Sequence, residues 1–465
     1  MTRLVHRTRV LCVVLLCTLL FGAVASQAQA QGFGLFEQGA CQMGRAGAGV
    51  AAPCNDGSSI FFNPAGLALD PKTTVVSGGF TTIAPRGQFT DTTTHQVSAL
   101  NDNAYFAPSA YFATPIGKRA VVGVGVFAPY GLTTDWPTTS EGRYIGYKSS
   151  IKSVYVQPTV SARVHERVVV GAGLDITHTS LELRRRVDLS TLAITGAGGL
   201  TFGNIGVPKG TDFADADLNG SGTHVGAHFG VIIKAHDRLS IGARYLTRQQ
   251  VAIANGELTI VQIPTNLGLA VPLGPTLPAG TPIDKIVASA FATGGALSNQ
   301  TSSTSLPLPD QFVFGLAIKA TDKLLVLADY QYTHWSMLDQ ITIVNQFAPP
   351  TLLVEQFGDT HGLRVGAEYS LANAKVRAGY DDHGPAAPPQ SVTPLLPDAD
   401  RHEFAFGVSI PGGTHVDLDL AYMYINQADR SGRTSDGGLT PIVATNNGVY
   451  EYHANLLGVS IVLHF

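Results

Sequence analysis

Three consecutive arginines, Arg184, Arg185 and Arg186, carry the most explicit binding chemistry in the chain. A guanidinium offers a planar fork of N–H donors that matches a carboxylate or a phosphate. The triplet therefore reads either as a contact for an acidic ligand or as a cluster facing surface phosphates. A second chemistry lies in the segment 251–307, which holds Ile263, Leu267 and Leu269, then Ile286, Val287 and Phe291 at roughly helical spacing. Together with Phe202 in the segment 183–221, these are candidate walls of an apolar groove, because an exposed apolar patch of that size marks a binding surface or a membrane contact. The alternative is a loop that packs on its neighbours. Ser, His and Asp are all available, but neither a nucleophile elbow nor an HExxH motif occurs, so no enzyme is expected.

The first thirty residues have the build of a signal peptide. Arg3, Arg7 and Arg9 precede the apolar run 10–23, and Ala28-Gln29-Ala30 supplies a small-x-small cleavage pattern. Removing them takes three of the 30 basic residues and none of the 34 acidic ones, leaving 27 against 34, a balance of −7. That balance argues against nucleic acid, which calls for a basic face. Cys12 and Cys17 leave with the leader, so Cys41 and Cys54 remain. In an oxidising compartment two such thiols pair, and further metal ligands near them are lacking, so a disulfide is expected and neither a metal nor a cofactor is.

After residue 30 no run approaches the ~18 apolar residues of a membrane helix. Alternation takes its place. Leu457, Val459, Ile461, Leu463 and Phe465 fall on one face, and Gly458, Ser460 and His464 on the other. His402 to Ile410, Val416 to Tyr424 and Leu363 to Tyr369 repeat the pattern, with Arg364, Glu368, Asp417 and Asp419 on the non-apolar face. About fourteen such strands begin near 73, 103, 119, 151, 167, 222, 238, 308, 322, 361, 374, 400, 414 and 451. Their connections alternate between short ones, such as Val164–Glu166 and Ala235–Asp237, and long ones, such as 183–221 and 251–307. Short turns on one rim and long loops on the other are the pattern of an outer-membrane barrel. The fold class is thus an all-β transmembrane antiparallel barrel over 73–465, in the bacterial outer membrane. Arg244, Asp329, Arg364, Glu368, Arg377, Asp417 and Asp419 point inward by parity and are expected to pair across the lumen. A closed barrel has no sheet edge to pair, so a monomer is expected.

Residues 31–72 lack the strand period. Small residues dominate them, a short helix around 39–51 is expected, and their economical place is inside the barrel as a plug. They read Gly32-Phe33-Gly34-Leu35-Phe36-Glu37, Met43-Gly44-Arg45-Ala46 and Phe62-Asn63-Pro64-Ala65-Gly66. These stretches resemble the N-terminal hatch of the FadL family. Similar stretches follow in order along the chain: Pro129-Tyr130-Gly131-Leu132, Leu306-Pro307 through Tyr332-Thr333-His334-Trp335-Ser336, and Pro397-Asp398-Ala399-Asp400-Arg401.

The resemblance implies a fourteen-stranded barrel plugged by its hatch, which takes up long-chain fatty acids or, in sister members, aromatic or alkane hydrocarbons. The implied route is capture in a groove between external loops, rearrangement of the hatch, and lateral release through a kink in the third strand. By position, Gly123 and Gly125 are where that kink would fall. Asn63, Pro64 and Ala65 are the expected gate, with Asn63 a hydrogen-bond tether to the wall. The Arg184–Arg186 triplet is the expected carboxylate contact or a rim facing lipopolysaccharide. Near Phe357-Gly358-Asp359, where a second cation would be expected, the chain has none, which leaves room for uncharged ligands. The implied partners are a hydrophobic small molecule, outer-membrane lipid and lipopolysaccharide, and the barrel-assembly machinery.

Overall fold

A computed structural model describes residues 32–194, 198–434 and 444–465. The expected signal peptide lies outside the described residues. Among them no helix is long and apolar enough to cross a membrane. The strands do the crossing. In chain order they are β1 (Val75–Asp91), β2 (Val97–Ala99), β3 (Tyr105–Ile116), β4 (Ala120–Asp135), β5 (Lys148–His165) and β6 (Val168–Asp188). Next come β7 (Asp212–His236), β8 (Leu239–Leu246), β9 (Gln249–Gln262), β10 (Gln300–Leu308), β11 (Gln311–Lys319) and β12 (Leu324–Thr333). The last are β13 (Gln340–Asn345), β14 (Thr351–Val354), β15 (Thr360–Ser370), β16 (Lys375–His383), β17 (Arg401–Pro411), β18 (Val416–Ser431) and β19 (Gly448–His464).

Fourteen positions run round the wall, because β9 continues β8, β10 leads into β11, and β2, β13 and β14 belong to the external loops. β1 pairs antiparallel with β19 from Val75↔His464 to Asp91↔Gly448, which closes the barrel. Closure leaves no open edge in lipid, where an unpaired backbone group would cost several kcal/mol. Alternation sets the two faces. On β5, Val154, Val156 and Val160 face outward and are exposed, while Tyr155, Gln157, Thr159 and Ser161 between them are buried in the lumen. β-branched residues outside and small polar ones inside suit a lipid-facing wall around a filled interior.

Several strands overrun the bilayer. β6 has 21 residues and β7 has 25, against the ~9–11 a tilted strand needs to span. The long connections are correspondingly shorter than the sequence suggests. The segment 251–307 opens as β9 and closes as β10, leaving 263–299 as the loop, and only 189–211 of 183–221 is a loop. The overrunning stretches are rich in Ser, Thr, Asn and Asp, and their few apolar residues, among them Leu181, Phe213, Leu218 and Ile253, are buried toward the external mouth and the loops.

Residues 32–74 precede β1, and the stretch 32–68 fills the lumen. Helix there is confined to Ala40–Met43 and Ser59–Phe62, with a 3-10 turn at Pro64–Leu69. The longer helix expected around 39–51 does not form, because Ala46 and Gly47 sit at φ 51° and 74°. Ion pairs and backbone contacts hold this hatch to the wall. Hatch Arg45 pairs with Glu368 at 2.6 Å, which pairs with Arg377 at 2.8 Å, which reaches Asp419 at 3.0 Å. Asp329 accepts from the backbone N–H groups of Gly49 and Val50 at 2.7 and 2.9 Å. Of the other charges that alternation points inward, Arg364 pairs with Asp381 at 2.8 Å. Arg244 bonds Gln311 at 3.0 Å and lies over Phe61 of the hatch. Among the described residues Asp417 reaches only His464, at 3.2 Å. Cys41 and Cys54 are joined by a disulfide across 13 positions of the hatch. Replacing both by serine is expected to cost about 3 kcal/mol, the usual value for a loop of that length, read as the denaturation midpoint of the detergent-solubilised barrel. A shift under a third of that would mean the wall alone orders the hatch.

Candidate functional site: an external pocket, a buried hatch and a gap in the wall

Three features lie between the outside and the membrane. The first is a pocket of about 250 Å3 at the external mouth, lined by Leu183, Val187, Leu218, Ile260, Ile343 and Leu353, with Arg184 and Arg185. Strand parity separates the three arginines. Arg184 is paired with Glu182 at 2.8 Å and Asp217 at 3.0 Å, and Arg186 with Asp215 at 3.5 Å. Arg185 has the opposite parity, the same as Leu183 and Val187. Among the described residues no carboxylate lies within ion-pair distance of it. Below the pocket, Leu181, Leu218, Ile253 and Ile343 meet with no room for a water molecule. These side chains close that part of the pocket's floor.

The apolar loop residues take a different place from the one expected. Phe202, Leu269 and Val287 are buried with Leu189, Phe213 and Ile283 in a small core between the loops 189–211 and 263–299. Leu267, Ile286 and Phe291 pack partly buried against it, and the helix Ile283–Phe291 supplies one of its sides. Ile263 is half-buried, and its amide donates to Phe213 O at 2.7 Å. None of the seven residues chosen for the groove, Phe202 included, lines the pocket. They make a rigid roof beside it, with Ile260 and Leu297 reaching both roof and pocket. At the position expected for a second cation, Phe357 packs on Trp335 at 6.0 Å. Burial alone would raise the neighbouring Asp359, but hydrogen bonds from Tyr332 and Ser336 hold it below the usual carboxylate range. Further along this loop side, burial pushes Glu355 up to about 7 against the pull of Arg433.

The second feature is the contact between hatch and wall. Asn63 Nδ2 donates to Val50 O at 2.7 Å within the hatch, and to the wall carbonyls of Val231 and Ala243 at 3.2 and 3.3 Å. Its Oδ1 accepts from Ala65 N, which shapes the Pro64 turn. The wall is bare where this turn lies. A Cβ on Gly171 would sit 2.3 Å from the Pro64 carbonyl carbon, so only glycine admits the turn at that distance.

The third feature is a gap. β3 and β4 pair from Ile116↔Ala120 to Ala110↔Val126 and then part. Beyond that point β3 pairs with β1 alone, and β4 shifts register against β5 between Phe127 and Tyr130. The irregularity therefore lies at Phe127–Tyr130, and Gly123 and Gly125 are in the regularly paired part. Those glycines answer to packing instead, since a Cβ on either would come within 3.2 Å of Ile60 of the hatch. Hatch residues 33–38 take over the backbone partners that β4 loses. Leu35 N donates to Pro129 O at 2.8 Å, and Gly131 N to Phe33 O at 2.9 Å. The Gln38 side-chain amide serves Ala128 twice, donating to its O at 2.7 Å and accepting from its N at 3.0 Å. A buried backbone group needs such a partner. Leu35 and Gln38 were not among the residues expected to act here. The available signal was Pro129, a residue with no N–H to give a ladder, just after an alternating run.

Behind the gap stands a column of aromatic rings from both parts. Phe33 lies 4.6 Å from Trp335 and 6.1 Å from Tyr130, and Phe61 lies 5.2 Å from Phe127, all buried.

Residues 21–465 match the model of a family described as outer membrane protein transport protein (OMPP1/FadL/TodX). The chain belongs to this family. It is 22% identical over 477 residues to outer membrane protein P1 of Haemophilus influenzae, covering 95% of this chain and 96% of that protein. It is 22% identical over 422 residues to the long-chain fatty acid transport protein of Escherichia coli K12, covering 87% and 89%. A FadL homologue of Pseudomonas aeruginosa superposes with a TM-score of 0.76 at 18% identity, covering 93% of this chain and 99% of that one. The toluene transporter TodX of Pseudomonas putida superposes at 0.67 and 16%, covering 92% and 98%. The chain is thus an outer-membrane family member that transports hydrophobic compounds. Its family fixes that much, and the ligand is a matter for its own residues.

Proposed function

We propose that the chain takes up long-chain fatty acids, admitting them at the external pocket and releasing them sideways between β3 and β4. The observation that carries this reading is Arg185, a cation set among Leu183, Val187, Ile260 and Leu353. An apolar wall with one such cation suits a molecule with a greasy body and one carboxylate. The pocket's volume of about 250 Å3 falls below the ~300–1,000 Å3 of whole-ligand sites, so it accommodates the head and first part of a long chain.

The route onward couples the hatch to the gap. Residues 33–38 satisfy the backbone of β4 where it leaves β3, so withdrawing them frees Ala128, Pro129 and Gly131 to move. A fatty acid that displaces the aromatic contacts of Phe33 loosens this patch and opens the wall toward lipid. An apolar chain gains by passing into the bilayer core rather than through water.

A second reading has its own observation. The column of Phe33, Phe61, Phe127, Tyr130 and Trp335 suits an aromatic hydrocarbon, which stacks edge-to-face on such rings. Arg185→Ala separates the two. In cells lacking their own carriers of this kind, the variant is expected to cut uptake of labelled oleate about tenfold, the effect of losing one charged hydrogen bond, and to leave labelled toluene uptake unchanged. Oleate uptake equal to that of the parent would remove the fatty-acid assignment.

A further inference from the structure

Most of the exposed cations at the periplasmic ends of the strands lie on one side. Six exposed cations occupy four successive turns: Lys118 and Arg119 between β3 and β4, Arg167 between β5 and β6, Arg238 between β7 and β8, and Lys319 and Lys323 where β11 turns to β12. The same turns carry three carboxylates, Glu166, Asp237 and Asp322, of which Asp322 pairs with Arg238 at 3.2 Å in full exposure. The next two turns, 371–374 and 412–415, contain no Lys, Arg, Asp or Glu, and the one exposed cation beside them, Lys375, lies 3.9 Å from Glu368, although the chain as a whole has a net charge of −4. The excess of positive charge is therefore local.

The wall spaces these cations as one arc. Arg163 N donates to Arg119 O at 2.7 Å, Lys234 N to Arg167 O at 2.8 Å, and Lys319 N to Arg238 O at 2.9 Å. Each turn is thus stitched to the foot of the next strand, which fixes the backbone spacing of the cations. Their height is set by the apolar band above. Ile116, Val164, Ile318 and Val326 are exposed on the outer face within three residues of an arc cation. Lys and Arg in turns at that height can reach the lipid headgroups.

We infer that this arc is a binding surface for anionic phospholipid headgroups of the inner leaflet. Six cations against three carboxylates leave a net positive charge that attracts a phosphodiester, and the neighbouring apolar band receives the acyl chains of the same molecule. A soluble acidic partner would use the charges but has no use for the band. The arc includes the turn that joins β3 to β4, so bound lipid would lie under the two strands that part above it. The assignment stands on charge and position at the periplasmic rim, and does not depend on which ligand the external pocket takes.

The test uses the purified full chain in phosphatidylcholine vesicles with spin-labelled phosphatidylglycerol or spin-labelled phosphatidylcholine. Electron paramagnetic resonance reads the immobilised fraction of each label. The parent is expected to prefer phosphatidylglycerol about threefold, with the preference screened out by about 1 M salt. The variant R167Q/R238Q/K323Q is expected to lose the preference, while K209Q/K285Q, which removes exposed cations from the external loops, keeps it. Retained heat-modifiable migration of both variants on gels shows that they fold. An equal preference in the parent and the triple variant, or an equal loss in both variants, overturns the inference. Displacement of the label by millimolar inorganic phosphate also overturns it, because the arc would then be a free-anion site.

Discussion

Replacing Glu368 with alanine is expected to destabilise the barrel by about 3–5 kcal/mol and to make it leak ions. Glu368 joins two cations from different parts of the molecule, Arg45 of the hatch and Arg377 of β16, at 2.6 and 2.8 Å. Arg377 keeps Asp419 at 3.0 Å when Glu368 is gone, but Arg45 keeps only the Ala52 carbonyl. A buried guanidinium without a carboxylate then faces Arg377 across the vacated space. Moving the hatch away relieves that repulsion, and a displaced hatch leaves an aqueous path. Urea denaturation in detergent reads the stability and planar-bilayer recording reads the leak. Glu368→Gln keeps the shape and isolates the charge. A variant as stable as the parent and electrically silent would show that the hatch is held elsewhere.

Putting valine at Gly171 is expected to abolish uptake while the barrel still assembles. The obstruction is backbone: a Cβ there would sit 2.3 Å from the Pro64 carbonyl carbon and 2.4 Å from Ala65 N. A flexible side chain would swing aside, but a turn pinned by proline and by Asn63 cannot. Asn63→Ala should act in the same direction and less strongly, by about 1–3 kcal/mol, since it leaves Val50 O unserved inside the lumen and releases the two wall carbonyls. Limited proteolysis of the hatch should follow the same order, Gly171→Val before Asn63→Ala before the parent. Normal oleate and toluene uptake by Gly171→Val would mean that the Pro64 turn has no part in transport.

The membrane-crossing architecture could be read directly, because lipid imposes a strict two-residue period on every strand it touches. Val154, Val160, Leu174, Phe229, Phe404 and Ile461 all obey it, and the short turns between hairpins set the count. The outer parts of β6, β7, β9 and β10 escaped notice because their apolar residues are few and are set among Ser, Thr, Asn and Asp. At the site, local chemistry is legible in the sequence and packing is not. Asn63 sits where the hatch motif put it, on two wall carbonyls, because its chemistry is local and needs only a nearby strand. The apolar loop residues were assigned to a groove, yet Phe202, Leu269 and Val287 bury each other. Composition reports that a side chain leaves water, and cannot report what it leaves water for. Gly123 and Gly125 show a similar ambiguity. A strand glycine serves either a bend or a close neighbour, and here the neighbour is Ile60, which no local pattern announces.

The Cys41–Cys54 bridge has a consequence for biogenesis. Both sulfurs lie inside the finished molecule, with residue exposures of 4% and 5%, surrounded by hatch and wall. No oxidoreductase can reach them through a closed barrel. The bond has to form on the periplasmic chain before β1 meets β19, so the plug is tied first and the wall is wrapped round it. In a cell unable to make disulfides, the barrel would close on an untied plug, and later oxidation could not repair it.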